Sequence, residues 1–232
     1  GWTWVSAENW GWAVYHYGRW GWDRRIGWFW VPDRVWAPAW VVWRWDDIYF
    51  GWAPLPPGYD LRPGRGFGRD RFDLPNDHWI FVSGRHFMDH GMDRWVLPRE
   101  RNMTIIGLTS FKANMHYDNG RVINDGPPSD HVRRQTGRPV NRYSLKDSGR
   151  PGTPSISGGE VRIYKPDLAE NRTARPKTVI RENELEQGDE IRKLGTVRPV
   201  DINRVQNREK ELLKESHDLE LRDVTRSLEA EK

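Results

Sequence analysis

The chain is predicted to be mainly β: a Trp-rich antiparallel sheet or meander with a long extended arm and a C-terminal α-helix. Three observations predict it. Five W-x-W pairs fall in the first 45 residues, Trp2/Trp4, Trp10/Trp12, Trp20/Trp22, Trp28/Trp30 and Trp43/Trp45. Residues two apart on a strand share a face, so each pair lays two indoles side by side. Pro32, Pro38, Pro54, Pro56 and Pro57 interrupt the pattern at strand-like intervals, and proline marks strand edges and turns because it cannot donate to a ladder. The hydrophobic share is only 36%, against the usual ~45–50% with Gly counted. The core must therefore be small and aromatic, with much of the chain outside it.

Residues 1–125 are read as the Trp-rich domain. Within 1–58, Gly1-Trp2-Thr3-Trp4-Val5 followed by Trp10 aligns with Gly27-Trp28-Phe29-Trp30-Val31 followed by Trp36, an offset of 26. Gly-Trp steps recur at Gly1, Gly11, Gly21, Gly27 and Gly51. A strand glycine beside an indole lets a neighbouring aromatic lie across the backbone. Trp40-Val41-Val42-Trp43 reads as the most buried strand. Residues 59–75 read as a Gly/Arg loop, and 78–97 resume strand patterning around a turn-rich piece at Arg85–Asp93. Met103–Thr109 and Asn114–Asn124 read as further strands, the second turning at Asp118-Asn119-Gly120. Ser129 is placed as the cap of a short helix through Gln135, ended by Gly137.

Residues 126–200 read as an extended Pro/Gly/Arg-rich arm, with Val161, Ile163 and Tyr164 in its best strand candidate. So polar a segment orders only by lying against something. Residues 201–232 read as an amphipathic helix with Asp201 as its N-cap. Leu213, His217, Leu221, Val224 and Leu228 form one narrow stripe, suited to docking on another helix or protein surface.

Thirteen of the 15 tryptophans precede residue 53, and a domain of about 60 residues hides only about 60% of its surface. The surplus indoles must face a partner, a sugar or the rest of the chain. Charge is uneven: residues 61–150 hold 16 basic and 10 acidic side chains, so the positive balance sits in the middle. No helix-turn-helix, zinc-finger or RNP pattern accompanies it, and nucleic acid is not expected. Cysteine is absent, which excludes disulfides. No apolar run approaches the ~20 residues of a membrane span. The Trp pattern is already running at Gly1, so a preceding segment is expected to have been processed off or left out.

The run Gly27–Pro32, Trp36–Arg44, Gly51–Pro57, Trp79–Val82, Arg101–Ile106, Asn119–Pro127 and Thr136–Val140 resembles a Trp/Gly/Pro-rich secreted bacterial family known only as a domain of unknown function. The resemblance spans about residues 1–145. It implies export to the periplasm, the outer surface or the medium. It supplies no activity and no catalytic residues.

Candidate chemistry is sparse. Exposed Trp pairs could stack on pyranose rings; Trp10, Trp12, Trp20, Trp22, Trp43 and Trp45 are the glycan or interface candidates, Trp43/Trp45 foremost. His86 and His90, with Asp89 and Asp93, have a spacing loosely compatible with a metal, though not HExxH, and a solvated turn is the simpler reading. Asp70, Asp73 and Asp77 lack the alternation of a calcium loop. Asp46 and Asp47 are adjacent, and neighbours on a strand face opposite ways, which is poor geometry for a carboxylate pair. No nucleophile elbow, P-loop or dinucleotide fingerprint occurs. The expectation is a protein with no cofactor and no enzymatic activity: a structural or assembly component that forms a homo-oligomer or larger assembly through arm and helix. The alternative is an envelope glycan-binding module.

Overall fold

The computed structural model describes residues 1–59, 74–113, 115–118, 121–171, 173, 175 and 177–179. The chain divides into two units, 1–177 and 178–232, and every described strand and helix belongs to the first. The predicted helix over 201–232, with Leu213, His217, Leu221, Val224 and Leu228, lies outside the described residues. So do most of the Gly/Arg loop and the arm beyond 179.

The described part is mainly β, and its sheets are antiparallel but for one pairing. After a single turn of helix, α1 (Gly11–Val14), the chain forms a hairpin of β1 (Tyr17–Asp23) and β2 (Gly27–Trp36). The strands β3 (Val41–Trp45), β4 (Tyr49–Pro54), β5 (Ile80–Ser83) and β6 (Ser110–Lys112) make a four-stranded sheet in the order β5-β4-β3-β6. Between β5 and β6 lies α2 (Asn102–Leu108). A second hairpin, β7 (Met115–Asp118) with β8 (Arg121–Asn124), leads to α3 (Ser129–Thr136). Finally β9 (Ser144–Asp147), β10 (Ser155–Ser157) and β11 (Glu160–Ile163) form a small sheet in which β11 runs parallel to β9.

The four-stranded sheet is covered on both faces. Val42, Ala53 and Phe81 pack with Trp40, Leu55, Trp79, Ile105, Met115 and Val122 on one side. Trp43, Phe50, Trp52 and Val82 pack with Phe87 and Val132 on the other. A strand buried on both faces needs a continuous apolar run, which is why Trp40–Trp43 shows no alternation. The most buried strand is nevertheless β4, where Phe50 through Ala53 are all buried. A Cβ at Gly51 would overlap the Phe81 ring, and one at Gly21 the Phe29 ring. These two Gly-Trp steps do let an aromatic lie across the backbone.

Several expectations change. Trp10/Trp12 is not a strand pair: Trp10 precedes α1 and Trp12 lies in it. The 26-residue repeat is not a structural repeat. Residues 1–5 pair with no strand and are held by Trp2 N–H on the Asn124 carbonyl (3.0 Å) and Trp4 N–H on the Pro38 carbonyl (2.9 Å), whereas 27–31 are ladder. Met103–Thr109 is helix, not strand: Asn102 and Ile105 are its buried positions, three apart as one helical face requires. The pairing expected within Asn114–Asn124 forms between β7 and β8, while Asn119 and Gly120 of its expected turn lie outside the described residues. The helix near Ser129 also forms, but its cap is Pro128, and Gly137 at φ 66° ends it.

The largest correction concerns the arm. Residues 126–171 do not reach away from the Trp-rich region; they fold back onto it. The Tyr17 hydroxyl donates to the Pro166 carbonyl (2.7 Å), and Tyr164 meets Trp12 edge-on at 4.7 Å. Val161 and Ile163 are buried within a sheet built from their own segment. A polar stretch that cannot form a core alone gains one by covering indoles the N-terminal region leaves bare.

His16 is buried beneath this closure. Its Nδ1 lies 2.8 Å from the Ala37 carbonyl, a contact that suits a neutral imidazole with the proton on Nδ1. Burial pushes its pKa below the ordinary 6.5. The unfolded chain then takes up a proton that the folded chain resists. Stability is full above pH 6.5 and declines below it, by up to about 1.4 kcal/mol per pH unit from this one group. Burial lowers His78 as well, so both contribute. Thermal unfolding between pH 7.5 and 5.5 should show this slope, and His16→Gln should flatten it in part. An unchanged slope would clear His16 of the effect.

Candidate functional site

The first hairpin gathers four indoles on one face. In its register Trp20 opposes Trp30 and Trp22 opposes Trp28, and opposed residues of an antiparallel pair point the same way. The period of two in W-x-W thus builds a two-by-two ladder. The turn fits its residues: Asp23 Oδ1 accepts the Arg25 N–H (2.9 Å), which holds the Asp23 carboxyl below its usual range. Gly27 has φ 77°, which a non-glycine residue would adopt only under strain. Lower down, the ladder breaks at Gly18, whose φ of 75° and lack of a Cβ allow the Val31 carbonyl to come close.

The inner pair is anchored and the outer pair is open. Trp20 Nε1 donates to the Val14 carbonyl (3.0 Å) and Trp30 Nε1 to the Tyr17 carbonyl (2.9 Å). Trp22 and Trp28 are 45% and 37% exposed. Their rings meet edge-to-face at 5.6 Å. Behind them stands His78, 4.8 Å from Trp28 and 6.0 Å from Trp22. Desolvation dominates its lowered pKa; Asp77 raises it and Arg99 lowers it further. The result is an exposed patch of two indoles beside an imidazole on which Asp77 and Arg99 act. An amphipathic aromatic surface of this kind takes flat, partly apolar ligands and holds them at little entropic cost.

The other predicted site residues scatter. Trp43, expected to be exposed, is buried, and its Nε1 donates to Asn124 Oδ1 (2.6 Å). Its run is a two-faced core strand, so the Trp43/Trp45 pair is not a surface. Trp45 is half-buried under Lys112, whose Nζ is 5.8 Å from the ring. Trp10 is 50% exposed beside Tyr15, and Trp12 is covered by Tyr164.

His86 and His90 do not converge on a metal. His86 stacks on Trp95 at 3.8 Å and hydrogen-bonds Asp89 (2.8 Å). Asp89, held low by His86 and then Arg138, accepts from Arg138 at 2.6 Å, while His90 is exposed. Among the described residues no group of three or more His, Asp or Glu could hold a metal.

Asp46 is a turn residue. Its Oδ1 accepts the N–H groups of Ile48 (2.9 Å) and Tyr49 (2.6 Å), and Asp47 points to solvent, 91% exposed. Trp28 and His78 were not singled out by sequence reasoning. The W-x-W register could have named Trp28, but nothing local points to His78, which arrives from 50 residues later.

Residues 1–59 match the sequence model of a family described as a family of unknown function (DUF6600). That match covers α1 and β1 through β4, the ladder included, and stops well short of residue 145. No curated protein and no solved structure matches the chain. Among the described residues no helix is long and apolar enough to cross a membrane.

Proposed function

We propose that the protein is a non-catalytic glycan-binding module of the bacterial envelope or extracellular space, binding sugar through Trp22 and Trp28. The observation that carries this reading is the exposure of that one indole pair at the tip of a rigid hairpin while its neighbours are anchored. Trp12, by contrast, is covered by Tyr164. Beside the exposed pair, His78 carries the electrostatic influence of Asp77 and Arg99.

Retardation of the protein in gels containing cell-wall glycans or exopolysaccharides tests it. The parent should be retarded by at least one of them. Trp22→Ala with Trp28→Ala should weaken that retention at least tenfold, about 1.4 kcal/mol, while circular dichroism stays unchanged. Trp10→Ala, equally exposed but off the ladder, should retain normally. An unretarded parent, or a retained double variant, would sink the reading.

A second reading, assembly with other copies or partners, is favoured by the exposed Val31 and Val35, which continue the apolar character along β2. Its original motive is weakened, because residues 126–171 already lie on their own domain. Light scattering separates the two: assembly predicts a particle larger than one chain that Trp22→Ala and Trp28→Ala reduce.

A further inference from the structure

Residues 144–165, returning to the Trp-rich region, border an open cavity of about 390 Å³ whose lining includes Trp36, Arg121, Leu145, Lys146, Asp147 and Lys165. That is the scale of small-ligand sites, ~300–1,000 Å³. It shares no residue with the indole ladder.

Its charge is unbalanced. Three cations and one carboxylate border it; Asp147 Oδ1 accepts the backbone N–H of Gly149 (3.0 Å) and of Lys165 (3.1 Å), and its charge also acts on the Lys165 ammonium. Those two bonds hold its carboxyl below the usual range. Among the described residues no acid lies within ion-pair distance of Arg121, Lys146 or Lys165. Burial, then the neighbouring Arg121, push the Lys165 ammonium down from its ordinary value. Like charges gathered around a concavity raise the local concentration of anions.

Trp36 supplies the aromatic wall of the cavity. His16 stacks on Trp36 at 5.2 Å and Lys165 Nζ lies 4.4 Å from its ring. The Trp36 indole N–H is buried with no hydrogen-bond partner. That nitrogen is sealed from solvent, so the ring borders the cavity through its other atoms.

We propose that this cavity binds an oxyanion, the carboxylate or phosphate of a sugar-sized ligand, with Arg121, Lys146 and Lys165 supplying the charge. The ligand charge would be held by the guanidinium and the two ammonium groups, and its specificity set by the walls around them. The proposal goes beyond the ladder reading and fails or stands without it.

Galacturonic acid, glucose 6-phosphate and glucose are the probes, titrated at low salt into the full chain and followed by proton–nitrogen NMR. One or both anionic sugars should shift the Trp36 indole N–H and the amides of 144–147, and glucose should not. A response to galacturonic acid alone identifies a carboxylate ligand, and to glucose 6-phosphate alone a phosphate ligand. Lys165→Met keeps the stem against Trp36, and with Arg121→Gln it should weaken binding at least tenfold and remove most of its salt dependence. If that pair fails to fold, Arg121→Gln alone, at an exposed position, should still weaken binding at least threefold. Trp22→Ala with Trp28→Ala should leave it unchanged. A parent that responds to neither anion, that takes glucose equally well, or whose affinity survives loss of the cations overturns the proposal.

Discussion

Asn124→Ala should cost about 3–6 kcal/mol, enough to lower the melting temperature by about 10–20 °C. The side chain is fully buried and makes three hydrogen bonds, using both of its donors and one of its two acceptor positions. Its Nδ2 donates to the carbonyls of Ala39 (3.0 Å) and Val41 (2.9 Å), and its Oδ1 accepts from Trp43 Nε1 (2.6 Å). Truncation removes three bonds and leaves an indole N–H and two carbonyls unmatched where water is scarce. Each such group costs about 1–3 kcal/mol, and typical domains hold only about 5–15 kcal/mol in all. Asn124→Asp should do no better at neutral pH, since a carboxylate would face two carbonyl oxygens. Thermal unfolding by circular dichroism reads both. A drop under about 2 °C would mean that the second hairpin is not latched to the four-stranded sheet by this residue.

Trp40→Ala is the second large effect, about 3–5 kcal/mol from lost volume alone. Trp40 joins two parts of the fold. It belongs to the core of the four-stranded sheet, its Nε1 donates to the His16 carbonyl (3.0 Å), and the Arg19 guanidinium of the first hairpin lies 3.2 Å from its ring centroid. The expected signature is therefore regional. Amide exchange should accelerate in residues 17–36 beyond what the global loss of stability explains. Uniform acceleration would show that the hairpin is held by other contacts.

The parts of the fold legible in the sequence are those whose cause is local. Period two at Trp20/Trp22 and Trp28/Trp30 gives β1 and β2 together with their shared face. Gly137 after Thr136 gives the end of α3, because only a residue at ease with positive φ closes a helix that way. Misread elements have causes that lie elsewhere in the chain. Trp10 and Trp12 keep the W-x-W spacing but turn as α1, since one residue of spacing cannot tell a strand from a single helical turn.

Ile105 and Ile106 suggest a strand until Arg44 is known. Its guanidinium donates to the carbonyls of Ile106 (2.9 Å) and Thr109 (3.0 Å), satisfying the C-terminal end of α2 from a residue about 60 positions earlier. The Trp43/Trp45 pair looks like a surface patch because alternation is read from one strand alone. Burial of the second face comes from Phe87 and Val132. At the candidate site, Trp22 was legible from its spacing, whereas its exposure depends on what residues 126–171 cover and what they leave open.

That covering segment fixes when the fold can be completed. Tyr17 is held by Pro166, 149 residues later, and Trp43 by Asn124, 81 residues later. At about 5–20 residues per second of synthesis, the partner of Tyr17 emerges some 7–30 s after Tyr17 itself. Through that interval the most tryptophan-dense stretch of the chain has left the ribosome without the residues that cover it. Pairings this distant in sequence also fold slowly once the chain is whole. A chain stopped after residue 125 would lack Tyr164 and Pro166, and so leave Trp12 and Tyr17 without these partners.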